Sequence, residues 1–243
     1  MEVSKDNFYI ISRATESKIK TVFTPALNGR GYEIALVGLS TYYSYPNVDE
    51  RSNGVDIIDD KGTKHEIRLP TGCYELREIN AMVLKLMKWT EKDAVVTIKE
   101  NNITLRTSLL IKKEKWSVKF PNGLGSILGF TAKEYHFQKD VDGIPLPHIS
   151  EKITNILSVN SILVHCDIIS GSMMDGVVKP VIFNYSPNVP VGNKIVAEPV
   201  HPIYLPVSKD VINELNIWVT DQSNNLLNLQ GEKIVITFHM RER

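Results

Sequence analysis

The strongest constraint on the fold is an alternation of apolar and polar residues with a period of two. It is clearest in 233–241, KIVITFHMR, where Ile234, Ile236, Phe238 and Met240 fall on one face of an extended chain. Similar segments, rich in β-branched and aromatic residues and bounded by Gly, Pro, Asn or Asp, are predicted as strands. These are 32–38, 55–58, 64–69, 94–99, 103–111, 116–120, 161–169, 180–185 and 215–221. The pattern predicts a β-rich fold of antiparallel strands.

One segment has the periodicity of a helix. Apolar residues recur at spacings of three and four in 75–89, with glutamates in the first turn and lysines in the last, as the helix dipole favours. Three connections are also predicted: a tight hairpin turn at Asn101-Asn102, a short helical turn in 123–129, and a long loop over the proline-rich 186–202. Many strands with few helices favour a two-sheet sandwich, such as a jelly roll, or a barrel.

Composition argues against several classes of function. The 243 residues carry 28 basic and 28 acidic side chains, and a pI of about 7.0 is too low for a protein whose main ligand is nucleic acid. No apolar run approaches the roughly 20 residues of a membrane helix, and the first residues lack the apolar core of a signal peptide. Two cysteines, Cys73 and Cys166, are too few for a disulfide scaffold or a four-thiolate zinc site. We expect a soluble protein of a reducing compartment, with no membrane and no specific nucleic acid as partner.

The sequence His165-Cys166-Asp167 looks at first like a nucleophile with its catalytic partners. Successive side chains of a strand point to opposite faces, so Cys166 shares the apolar face of Ile162 and Val164, while His165 and Asp167 share the other. Cys166 is therefore expected in the core, away from any proton-transfer partner. His165 and Asp167, about 6.5–7 Å apart along the strand, are candidates for a surface or interface pair.

The remaining candidate residues form no constellation that specifies catalysis. The other histidines show no metal-ligand spacing such as H-x-x-x-H, and the compact ligand set of a cupin does not occur. The glycines of 123–129 lack the G-K-[ST] of a phosphate loop. We predict no catalytic residues, no metal and no cofactor. Tyr42, Tyr43 and Tyr45 form an aromatic cluster with three interpretations: a sugar-stacking platform of a lectin, a subunit contact in a capsid, or a loop packed over the core.

Several distinctive strings of residues follow one another from about residue 30 to the C-terminus. They are YYSYPNV at 42–48, GCYELREIN at 72–80, ILGF at 127–130, HCDIISGS at 165–172, IYLPV at 203–207, WVTDQSNNLLNLQGE at 218–232 and TFHMR at 237–241. In order and spacing, these strings resemble the minor capsid, or penton, protein of Polinton/Maverick elements and the related adintoviruses.

The resemblance implies an all-β fold, a single jelly-roll sandwich of about eight antiparallel strands with one inserted helix, over 31–243. Residues 1–30 are then an N-terminal arm or edge segment. The implied role is structural and non-enzymatic: a homopentamer at the fivefold vertices of an icosahedral virion capsid, beside a larger double-jelly-roll major capsid protein. The family offers no catalytic residues to carry over. The alternatives are a lectin-like jelly-roll binding module and, in third place, a cupin-type enzyme.

Overall fold

The computed structural model describes residues 7–101, 103–156 and 159–243, and their contacts form two compact units. Unit 1 is made by the described residues of Met1–Tyr45 and Val159–Arg243, and unit 2 by those of Pro46–Ser158. Each unit has its own hydrophobic core. Unit 2 is thus an insertion into the chain of unit 1, which no linker-like composition marks in the sequence. The predicted division at residue 30 stays a prediction.

The strands and helices follow one another along the chain from unit 1 into unit 2 and back. Unit 1 begins with β1 (Asn7–Ala14), β2 (Lys18–Asn28) and β3 (Tyr32–Tyr42). Unit 2 contains β4 (Gly54–Ile58), β5 (Lys64–Arg68), α1 (Leu76–Met87), β6 (Val96–Asn101), β7 (Arg106–Ile111), β8 (Ser117–Lys119), α2 (Leu124–Ile127), β9 (Glu134–His136) and β10 (His148–Ile149). Unit 1 resumes with β11 (Ile162–Cys166), β12 (Met173–Met174), β13 (Val177–Val178), β14 (Val181–Tyr185), β15 (Lys194–Ala197), β16 (Leu205–Pro206), β17 (Val211–Thr220) and β18 (Ile234–Glu242).

Unit 1 is a sandwich of two sheets with jelly-roll connections. Sheet 1 has the order β1-β18-β3-β15, with the short β16 also pairing with β3, and sheet 2 has the order β14-β11-β17-β2. The antiparallel pairs are nested along the chain: β1 with β18, β2 with β17, β3 with β15, and β11 with β14. Such nesting is the double Greek key of a jelly roll. The predicted fold class is confirmed.

The core of unit 1 lies between its sheets, where the period-two alternation places it. Ile234, Ile236, Phe238 and Met240 of β18 are fully buried there, as predicted. Strands β1 and β2, which the sequence pattern did not predict, each form one edge of a sheet. Their alternation is hidden because residues on both faces of β1 are apolar and β2 carries a proline.

Unit 2 has two small antiparallel sheets, β5-β4-β8-β9 and β10-β7-β6, and the helix predicted in 75–89. Helix α1 begins after Glu75, whose side chain and that of Glu78 form a capping box. The helix ends at Met87, and the C-cap residue Lys88 takes a left-handed conformation with φ 56°. Asn80 of α1 accepts a hydrogen bond from the backbone N–H of Ile98 on β6 at 2.8 Å, which joins the helix to the edge of the sheet. The helical turn predicted in 123–129 is α2.

The hairpin between β6 and β7 differs from the prediction. The strand predicted over 103–111 begins only at Arg106, because the side chain of Asn101 accepts hydrogen bonds from the backbone N–H groups of Ile103 and Thr104. These residues are thereby held in a turn, and Ile103 and Leu105, which a strand over 103–111 would place on its apolar face with Leu109 and Ile111, are exposed. Asn102, half of the predicted tight turn, lies outside the described residues.

The predicted loop over 186–202 is also wrong in part. Its middle is strand β15, which pairs with β3 and buries Ile195 and Ala197 in the core of unit 1. The segment carries a short alternation, K-I-V-A, between its prolines, and four residues are too few for a confident period-two signal.

We predict that Phe238→Ala destabilises unit 1 by about 3–5 kcal/mol, because it removes a fully buried ring from the strand that pairs with both β1 and β3. Unit 1 contains a single tryptophan, Trp218, so urea unfolding followed by its fluorescence in a Trp89→Phe, Trp116→Phe background reports on unit 1 alone. Val235→Ala, on the opposite face of the same strand, should cost less than about 1 kcal/mol. Equal losses from the two variants would contradict the core assignment.

Candidate functional site

Cys166, at the end of β11, is fully buried in the core of unit 1, as the strand alternation predicts. Burial raises the pKa of its thiol to about 12, so the thiolate that a nucleophile requires does not form at neutral pH. Cys166 is a free thiol, and Cys73 is half-buried. The central residue of the apparent nucleophile set is therefore structural.

His165 lies on the opposite face of β11, as predicted, but it is not a surface residue. Only 3% of the residue is exposed, because its ring is stacked on Trp218, the opposite residue on β17, at 5.0 Å between centroids and 6° between planes. Its Nε2 is 2.9 Å from Oγ1 of Thr220. The expectation of a surface side chain is corrected: the neighbouring indole covers the imidazole.

Asp167 follows β11 directly and is held by two neighbours. Its carboxylate accepts hydrogen bonds from Nζ of Lys209 at 2.7 Å and from the backbone N–H and Nδ2 of Asn216 at 2.9 and 3.1 Å. Partial burial opposes ionisation, but these hydrogen bonds outweigh it and keep the pKa of Asp167 below its usual value. His165 and Asp167 therefore have separate partners, and the pair considered from the sequence does not form.

The three tyrosines of the aromatic cluster differ in exposure. Tyr42, the last residue of β3, is 43% exposed, whereas Tyr43 and Tyr45 are buried with their ring centroids 5.5 Å apart. The hydroxyl of Tyr43 donates to the carbonyl of Val159 at 3.2 Å, and burial raises the pKa of Tyr45. The interpretation of a loop packed over the core describes Tyr43 and Tyr45, and no sugar-stacking platform is presented by these two rings. As interface residues, all five candidates stay predictions, and Tyr42 and Asp167 are the most accessible of them.

The outer face of sheet 1 carries an aromatic patch that the sequence reasoning missed. Tyr9 is 67% exposed, with its ring 5.0 Å from that of His239. Tyr204 and His239 share a hydrogen bond of 2.8 Å, and the guanidinium of Arg241 lies 3.5 Å from the centroid of the Tyr204 ring. Ile11, 54% exposed, follows Tyr9 on the same face of β1. We call these five residues the sheet 1 patch. The patch is a candidate interface, because aromatic residues and arginine are the residue types most enriched in protein interfaces.

Two kinds of site are not found in the ranges that the structure describes. Within them, no three His, Cys, Asp or Glu side chains are grouped so as to hold a metal ion. None of the helices in those same ranges has the length and apolar character needed to cross a membrane.

Similarity to known proteins is found in structure and not in sequence. No family model matches the chain, and no curated protein matches its sequence. The chain is similar to the crystal structure of the selenomethionine-labelled mavirus penton protein, with a TM-score of 0.51 and 10% identity, over 98% of this chain and 100% of that one. The chain shares its fold with that penton protein. At 10% identity, the similarity shows the fold alone.

We predict that Cys166→Ser destabilises unit 1 by about 1–3 kcal/mol, because it places a hydroxyl in an apolar core. Urea unfolding measures the loss, and Cys73→Ser, at a half-buried position, serves as the control with a smaller effect. Alkylation of the native protein, read by mass spectrometry, should modify Cys73 well before Cys166. Rapid modification of Cys166 would contradict its burial.

We also predict that Asp167→Asn lowers stability at pH 7 by about 1–3 kcal/mol, since Lys209 loses its charged partner. The carboxyl has a lower pKa in the folded than in the unfolded chain, so its stabilisation is present above about pH 4 and is lost on further acidification. The difference between variant and wild type in urea unfolding should therefore shrink from pH 7 to pH 3. Asp210→Asn, at an exposed neighbouring carboxylate, is the control, and a difference independent of pH would show that the charge is not what matters.

Proposed function

We propose that this chain is a structural protein of a virion capsid, the penton at the fivefold vertices of an icosahedral particle of the Polinton/Maverick and adintovirus type. The observation that carries the proposal is the similarity to the mavirus penton protein, which extends over nearly the whole of both chains. The ordered sequence strings point to the same kind of protein. The candidate residues lend no support to an enzyme, since Cys166 is buried and His165 and Asp167 have separate structural partners.

The proposed assembly is a homopentamer. A ring of five closes by repeating one heterologous contact, in which one flank of each subunit meets a different flank of the next. Zero formal net charge suits such a ring, because like-charged subunits would repel one another across it. A stable contact of this kind buries more than roughly 1,000 Å² in total. The sheet 1 patch is the flank we favour for one side of the contact, with Tyr42 and Asp167 as further candidate residues.

We further propose the double-jelly-roll major capsid protein as the partner that surrounds the vertex. The described part of this chain forms one jelly roll, in unit 1, whereas that partner contains two. The lectin-like alternative is less favoured, because two of the three tyrosines that would stack on a sugar are buried.

The oligomeric state tests the proposal. A pentamer has a mass of 5 × 27.4 = 137 kDa, and we expect this mass from size exclusion with light scattering over a wide range of concentration and salt. A stable dimer or trimer throughout would contradict the penton. A monomer throughout would contradict self-assembly in the absence of the major capsid protein.

We predict that Ile11→Glu shifts the 137 kDa species towards the monomer, because it places a charge in the sheet 1 patch. Ile11 is 54% exposed, so urea unfolding of the subunit should change by no more than about 0.5 kcal/mol. Val141→Glu, at a fully exposed valine of unit 2, is the matched control and should leave the mass unchanged. If both variants dissociate the pentamer equally, or if neither does, the sheet 1 patch is not part of the subunit contact.

A further inference from the structure

His165 has an unusual position for a titratable residue. It lies in the central pair of sheet 2, where β11 and β17 run side by side and His165 is opposite Trp218. The parallel stack of the two rings and the near-complete burial of the imidazole tie the two strands together outside the apolar core. Any change in the charge of this ring therefore acts on the middle of the sheet.

The hydrogen bonds of His165 suit a neutral ring. Nε2 bonds with Oγ1 of Thr220, and Nδ1 is buried and has no hydrogen-bond partner among the described residues. With the proton on Nε2, Nδ1 is a bare acceptor. Protonation turns Nδ1 into a buried N–H donor without a partner and adds a charge to the ring, which is far more costly than an unpaired neutral acceptor.

The charges around His165 also disfavour the imidazolium. Lys179, just before β14, adds a positive charge near the ring, and burial acts first and Lys179 second to lower the pKa of His165 below its usual 6.5. The nearest carboxylate in sequence, Asp167, is already bonded to Lys209. Asp221, next to Thr220, accepts backbone hydrogen bonds in its own turn.

A second lysine lies beyond the indole of Trp218. Lys18 of β2 is the partner of Trp218 on its other side and is a cation like Lys179. The indole face attracts a cation, which offsets part of the cost of protonation. It supplies no acceptor for the Nδ1 proton, however, so the unpaired donor persists.

We propose that His165 makes sheet 2 of unit 1 sensitive to acid. The neutral ring stabilises the pairing of β11 with β17, and protonation on mild acidification weakens that pairing. The unfolded chain binds this proton more readily than the folded protein does. The stabilisation by the neutral ring is therefore present above about pH 6.5, the pKa of histidine in the unfolded chain, and is lost as the pH falls through the lower pKa of His165 in the folded protein. The inference stands on this cluster alone and does not depend on the capsid role. In a vertex protein it would weaken the vertex in acid.

The test is the pH dependence of urea unfolding of the full chain, followed by Trp218 fluorescence in the Trp89→Phe, Trp116→Phe background, which serves as the wild type here. Between pH 7.5 and 5.5, where carboxylates stay ionised, the folding equilibrium constant of the wild type should fall by at most about tenfold per pH unit for the one proton involved. His165→Phe keeps an aromatic ring beside Trp218 and cannot titrate. The folding equilibrium constant of this variant should therefore fall less over the same pH range, by the factor that the His165 proton contributes in the wild type. His201→Phe, at an exposed histidine, should behave like the wild type.

The same pH dependence in wild type and His165→Phe would overturn the proposal. Should His165→Phe fail to fold, proton NMR titration of the wild-type histidines decides the matter. The proposal requires that the imidazole of His165 stays neutral in the folded protein below about pH 6.5, the usual value for a histidine. A normal titration of His165 in a protein that remains folded would equally overturn it.

Discussion

The fold of unit 1 depends on the burial of one face of β18 between two sheets. This strand, the last of the chain, lies between β1 and β3 and fills the core with four fully buried side chains. Its pairing with β1 joins residues more than two hundred positions apart, so neither strand can form its sheet locally. The other pairs of the jelly roll are nested inside the β1–β18 pair: the second strand of the chain pairs with β17, and the third with β15.

The same constraint explains where an insertion is tolerated. Unit 2 leaves the chain after β3 and returns before β11, in a connection that joins sheet 1 to sheet 2, and it brings a core of its own. On unit 1, the ends of this connection are fixed locally, since Tyr43 and Tyr45 are buried and Tyr43 bonds to the carbonyl of Val159. Two of the three tyrosines that look like a binding cluster in the sequence, Tyr43 and Tyr45, are therefore packed where the chain of the jelly roll is interrupted.

Much of the fold is readable from the sequence where one face of an element is apolar and the other polar. The alternation of 233–241 and the helical stripe of 75–89 give the correct elements, and the alternation around Cys166 places that thiol in the core. Local patterns fail where a tertiary partner decides. Asn101 converts three predicted strand residues into a turn, and the burial of His165 depends on Trp218, a residue 53 positions away that only strand pairing brings to it. The sheet 1 patch is likewise assembled from three segments of the chain.

The central claim is that this jelly roll is a subunit of a closed fivefold ring. Electron microscopy of the purified assembly tests it most directly, because class averages viewed along the ring axis show the rotational symmetry without any assumption about mass or shape. The account predicts fivefold averages from a single kind of subunit, whose contacts are heterologous and identical around the ring. Averages with twofold, threefold or sixfold symmetry would contradict it.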